Sequence, residues 1–206
     1  MKKLFDTLCV AFILLSVCVF PSRALAEEGP PVYGLFLIDQ AEYGYDGQDN
    51  PLFWDLTSWV GGDWNRLWLK SEGEISSDAS SLGAEAQLLY SRLIAPFWEV
   101  QVGLRGDLVT EQESLTRGHL VLGLEGMVPY RFEFEPALFI SQAGDVSMRL
   151  RVTHDLFITQ RLIAQSSAET NLALQEVPEF GVGTGLNDLE LGLRLRYEFR
   201  REFAPY

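Results

Sequence analysis

Beyond Cys18 the chain has no cysteine, so most of it can form neither a disulfide nor a thiolate metal site. Histidine is limited to His119 and His154, and methionine after the initiator to Met127 and Met148. Basic residues are also scarce: 16 Lys and Arg stand against 29 Asp and Glu. So acidic a chain is a poor partner for nucleic acid, whose phosphates demand cations; it attracts cations instead. Acidic surfaces are also common in exported proteins, so charge alone does not name a ligand. After residue 26 no stretch approaches the roughly 20 consecutive apolar residues of a membrane helix. A nucleophile elbow, P-loop, dinucleotide fingerprint and zinc-ligand spacing are all missing, and no enzymatic activity is expected. The glycine-rich runs GLRGD (103–107) and GVGTG (181–185) lack strand–turn–helix context and read as strand and loop glycines.

What is present begins with an export signal. Lys2 and Lys3 form a basic start, Leu8 to Phe20 an apolar stretch, and Ala24-Leu25-Ala26 a small-residue cleavage pattern. Cleavage is expected after Ala26. Removing Lys2, Lys3 and Arg23 together with Asp6 leaves 13 basic residues against 28 acidic ones. Residues 27–32 (EEGPPV) form a short periplasmic lead-in, and 33–206 read as one domain.

That domain is built on alternation. Between Asp188 and Arg200, Leu189, Leu191, Leu193, Leu195, Tyr197 and Phe199 share one parity. Asp188, Glu190, Gly192, Arg194, Arg196, Glu198 and Arg200 share the other. A strand sends successive side chains to opposite faces, so this segment has an oily face and a charged one. Its length exceeds the roughly 9–11 residues with which a tilted strand crosses a bilayer. About ten such segments follow one another: 33–45, 52–62, 64–76, 82–92, 96–110, 116–128, 130–141, 146–156, 158–174 and 188–200. Short connections alternate with longer ones rich in Gly, Ser, Asn and Asp, as in outer-membrane barrels.

Two architectures share this alternation. A soluble barrel keeps its apolar side chains inside, whereas a membrane barrel turns them out and encloses the charge. The export signal, the strand lengths and the aromatics at strand ends (Trp54, Trp98, Tyr130, Phe132, Tyr197, Phe199) favour the membrane form. The fold expected is therefore all-β, an antiparallel transmembrane β-barrel of the outer-membrane type. Two segments fit poorly. Asp39 shares parity with Leu35 and Leu37, and Ala164, Ser166, Ala168 and Thr170 make a weak apolar band.

Several runs resemble the copper resistance protein B family: LFLIDQAEY (35–43), WVGGDWNRLWLKSEGE (59–74), LLYSRLIAPFWEVQVGLR (88–105), DLFITQRLIAQ (155–165) and GVGTGLNDLELGLRLRYEFRREFAPY (181–206). The resemblance spans roughly 33–206. It implies a monomeric outer-membrane barrel of proteobacteria, embedded in outer-membrane lipid, working with periplasmic copper-handling proteins. The implied role is copper tolerance, by moving or sequestering copper ions. A structural or small-solute barrel with no metal role is the alternative. Family members often carry a Met- and His-rich segment before the barrel, which is missing here, so storage is less expected than passage. In the family the run after REFAPY continues into further strands. That implies a C-terminally truncated barrel, with about ten strands of a likely twelve.

Candidate copper ligands are His119, Glu125 and Met127, which share the inward parity of one strand and offer imidazole, carboxylate and thioether. Each reads more readily as a member of an interior hydrogen-bond network than as a ligand. Glu125 and Met127 lie two residues apart, about 7 Å along a strand. His119 stands roughly 20 Å from Glu125 and needs partners from other strands. The charged interior faces predict a lattice of Arg66, Arg105, Arg149, Arg151, Arg194 and Arg196 with carboxylates that include Glu72, Glu74, Glu85, Glu133, Glu169 and Glu190. His154, near Ser166 and Ser167, has the outward parity and is expected to pack at the interface.

Overall fold

The computed structural model describes residues 31–45, 50–76, 81–110 and 114–200. The expected signal peptide and its cleavage site lie outside the described residues, as do 201–206. Ten strands follow in chain order: Tyr33–Tyr43 (β1), Leu52–Gly61 (β2), Asn65–Ile75 (β3), Leu82–Ala95 (β4), Trp98–Thr110 (β5), Ser114–Val128 (β6), Phe132–Ser141 (β7), Val146–Phe157 (β8), Leu162–Ala173 (β9) and Gly185–Tyr197 (β10). Each pairs antiparallel with the next, giving one sheet in the order β1 to β10. The all-β antiparallel expectation holds. The sheet curls far enough for Arg149 on β8 to reach Glu72 on β3 and for Arg194 on β10 to donate to Gln40 on β1. Among the described residues β1 and β10 each have a strand neighbour on one side only.

The polarity is inverted relative to a soluble barrel. Leu67, Leu69, Leu88, Leu104, Leu122 and Leu191 stand exposed on the convex face, and Leu193 is 80% exposed. The charged parity lines the concave side. The outward tryptophans Trp54 and Trp98 lie flat over Gly73 and Gly126 on the adjacent strands, where any Cβ would collide with the indole. Glycine is required at both places because a ring from the next strand covers the backbone.

The poorly fitting segments have local explanations. A bulge at Asp39 shifts the register between Ile38 and Gln40. Leu35, Leu37 and Asp39 line the interior before it, and Gln40 and Glu42 after it. One extra residue therefore keeps both halves of β1 in phase with the charged face. On β9, Ala164, Ser166, Ala168 and Thr170 are each flanked by β10 leucines, from Leu195 to Leu189, and by Leu156, His154, Val152 and Leu150 of β8. The apolar band is carried by the neighbours. β10 runs 185–197 rather than 188–200, because an extra residue between Leu186 and Asp188 extends its start. β9 starts at Leu162, since Thr159 turns the chain by accepting from the amides of Arg161 and Leu162 at 3.2 and 2.9 Å.

Candidate functional site: the interior face

Antiparallel pairing sets the inward residues of β2 to β9 side by side, and they interact across the concavity. Arg149 donates to Glu72 at 2.7 Å and to Glu85 at 2.9 Å, and lies 3.2 Å from Glu169. Arg151 donates to Glu72 at 2.8 Å and Glu169 at 2.6 Å. Arg105 joins Glu85 at 2.8 Å and Asp107 at 2.6 Å. Lys70, the sole lysine after Lys3, bridges Glu125 at 3.3 Å and Glu135 at 3.0 Å. Nearer the tight turns, Arg66 holds Glu99 at 2.6 Å, Glu99 accepts from Ser91 at 2.7 Å, and Ser91 accepts from the Trp68 indole at 2.9 Å. These charges are largely withdrawn from solvent, where removing one partner costs about 3–5 kcal/mol.

The lattice rests on an apolar cluster that is also inside the curl. Trp68, Leu89, Val121 and Phe139 are buried together from β3, β4, β6 and β7, with Trp59 and Ala137 against them. Arg105 and Arg149 lie over the Phe139 ring at 4.6 and 5.5 Å. Beside it lies a cavity of about 1140 Å³ bordered by residues of all ten strands, the lattice's Lys70, Glu72, Glu85 and Arg105 among them. Among the described residues lining it are fourteen carboxylates and six Lys or Arg. The interior is thus partly packed and partly open, with an excess of carboxylates around the open volume.

Residues 32–206 match the family described as Copper resistance protein B precursor (CopB). The chain belongs to the copper resistance protein B family. It is 44% identical over 172 residues to "Copper resistance protein B" of Escherichia coli, an alignment covering 84% of this chain and 57% of that protein. It is 36% identical over 171 residues to "Copper resistance protein B homolog" of Pseudomonas syringae pv. tomato (strain ATCC BAA-871 / DC3000), covering 83% and 57%. The chain thus spans 57% of the length of both curated relatives.

In this family member His119, Glu125 and Met127 share the inward side of β6, but the fold engages each separately. His119 is buried between Arg105 and Ser141 of the neighbouring strands, with Nδ1 3.6 Å from Asp107 and its ring edge-on to Phe139. Glu125 accepts from Gln101 at 2.7 Å besides Lys70. Met127 sits at the end of β6, paired with Glu133 of β7. Among the described residues no group of three or more His, Cys, Asp or Glu is placed to hold a metal ion.

Of the predicted lattice, Arg66, Glu72, Arg105, Arg149 and Arg151 join the network across the curl. Arg196 pairs with Asp155 at 3.1 Å, and Arg194 approaches Glu42 at 3.8 Å. Glu74 and Glu190 line the open cavity. His154 stacks on Phe132 at 4.2 Å, as expected of interfacial packing. The Ser166 hydroxyl contacts the backbone carbonyl of His154 rather than its ring. Sequence reasoning missed Lys70 as the central cation, although its parity placed it inside. It also missed the apolar cluster, signalled by Trp68, Leu89, Val121 and Phe139 occupying polar-parity positions.

Proposed function

We propose that this chain forms an outer-membrane β-barrel wall through which copper ions pass, without catalysis, as part of copper tolerance. Copper is the cargo. The observation that carries the reading is the carboxylate excess around the open cavity, fourteen against six. A cavity of one sign with low-dielectric walls focuses field lines and raises local cation concentration. Carboxylates that lie apart and already accept from Lys or Arg favour transient contact over a tight cage. The family supports copper as the ion, and the convex leucine face supports a lipid surround. The sequence reading adds export by a signal peptide and delivery to or from periplasmic copper-handling proteins.

The test is growth of cells lacking the protein on graded copper, with zinc as control. The reading requires copper sensitivity that is rescued by the wild-type gene and only weakly by a Glu74→Gln, Glu190→Gln double variant. Equal copper tolerance with and without the protein contradicts it.

A further inference from the structure

The arginines divide into two sets. Among the described residues seven are within reach of a carboxylate: Arg66, Arg105, Arg117, Arg149, Arg151, Arg194 and Arg196. Arg92, Arg131, Arg161 and Arg200 are exposed and have no ion pair with a described residue. All four lie at the same rim. Arg92 is near the end of β4, Arg131 and Arg161 are in the β6–β7 and β8–β9 turns, and Arg200 follows β10. At the opposite rim the exposed charges are mainly acidic, among them Glu176, Glu179 and Asp188.

The arginine rim also displays rings. Trp64, Phe97 and Tyr130 are 66, 73 and 86% exposed at the tips of three successive tight turns. Two of them occupy an unfavourable backbone. Phe97 has φ 67° and Tyr130 φ 69°, each directly after a proline. Proline followed by positive φ is the pattern of a turn that favours glycine at its second central position. A bulky residue there is a genuine outlier. Arg131, at φ 63°, is the remaining non-glycine residue with positive φ among those described. A sequence selected only for turn stability would place glycine at these tips. Instead the chain holds two rings and an arginine out from the rim in strained positions. Arg131 lies over Phe157, the last residue of β8, at 4.6 Å, and both side chains are exposed.

We propose that this rim binds the headgroups of anionic phospholipid, the arginines meeting phosphate and the rings sitting at the headgroup level. Guanidinium matches phosphate geometry, and Trp and Tyr occupy membrane–water interfaces. This places the arginines on the side where outer-membrane barrels carry their short turns. This inference rests on the membrane-barrel reading above.

The full chain is refolded into phosphatidylcholine vesicles with and without phosphatidylglycerol, and protease protection and the urea midpoint are measured. Protection in phosphatidylcholine alone reports the barrel, independently of the rim. The proposal expects a higher midpoint in the anionic vesicles, screened by salt. An Arg92→Gln, Arg131→Gln, Arg161→Gln, Arg200→Gln variant should keep its midpoint in phosphatidylcholine and lose the anionic gain. Each arginine should account for about a fivefold change in lipid affinity. Phe97→Gly with Tyr130→Gly should raise the midpoint in neutral detergent yet weaken vesicle binding. Equal midpoints in both lipids, or an anionic gain that survives in the arginine variant, overturn the proposal.

Discussion

The two sides of the interior are built from the same alternating strands but do different physical work. Between β3 and β7 the inward positions hold Trp68, Leu89, Val121 and Phe139, and the charges above them are interlocked. Between β8 and β1 the inward positions are Gln165, Asn171, Glu190, Arg194 and Glu42, which border open volume. Strand alternation decides which side chains turn inward, and their size and polarity decide whether the space fills. One half packs the interior against itself; the other leaves volume unfilled.

This contrast is sharpest for single arginines. Arg149→Met should destabilise by up to about 3–5 kcal/mol, because Glu72, Glu85 and Glu169 each lose a buried partner and keep only Arg151 or Arg105. Arg194→Met, in the open half, removes a more exposed pair at 3.8 Å and should cost about 1 kcal/mol or less. Urea unfolding in detergent micelles compares them directly. Equal losses would erase the distinction between the two halves.

Leucines give the next largest difference. Leu89 is 1% exposed inside the curl, so Leu89→Ala should cost about 2–5 kcal/mol through lost burial and a residual cavity. Leu193→Ala, on the convex face, exchanges contact with detergent and should change stability by no more than about 0.5 kcal/mol. Thermal unfolding followed by near-ultraviolet circular dichroism checks both, and a larger loss at Leu193 would mean that the convex face is covered by protein.

The smallest effect concerns pH at the loop rim. Asp145 accepts from the Ser141 hydroxyl at 2.9 Å and from Arg117 at 2.6 Å. These bonds, the Ser141 hydroxyl first, hold its carboxyl below the ordinary value of 3.8. A depressed folded-state value contributes stability that is present above 3.8 and is lost as pH falls through the folded value. Neutral pH should therefore leave the β7–β8 loop unchanged, with loosening confined to strongly acidic solution. An NMR titration of the Asp145 carboxyl should give a midpoint below that of an unfolded reference, and Arg117→Gln should move the midpoint up.

Most of the strand plan was legible in the sequence, because a period of two is a local property. The ten segments, their order and the inward parity of the charged residues follow from Leu and Arg alternating along the chain. Bulges were legible at most as a misfit, as where Asp39 falls in step with Leu35 and Leu37. The extra residues at Asp39 and before Asp188 reset the parity without any residue type that announces them. The interior site was legible as a set of charges but not as a set of partners. Lys70 meets Glu125 and Glu135 across 55 and 65 residues of chain, a distance that only the curl of the sheet removes. His119, Glu125 and Met127 lie on one face as expected, yet Asp107, Lys70 and Glu133 each face a different one of them.

The central claim, that the open half admits copper, is tested most directly by flux. Liposomes loaded with a copper-sensitive fluorescent chelator, with the refolded full chain in their membrane, are exposed to external copper. The account predicts copper entry above that of protein-free liposomes, with a loss of up to about tenfold in the Glu74→Gln, Glu190→Gln variant and unchanged strand content. Entry equal to that of empty liposomes, or entry indifferent to removal of those two carboxylates, would contradict it.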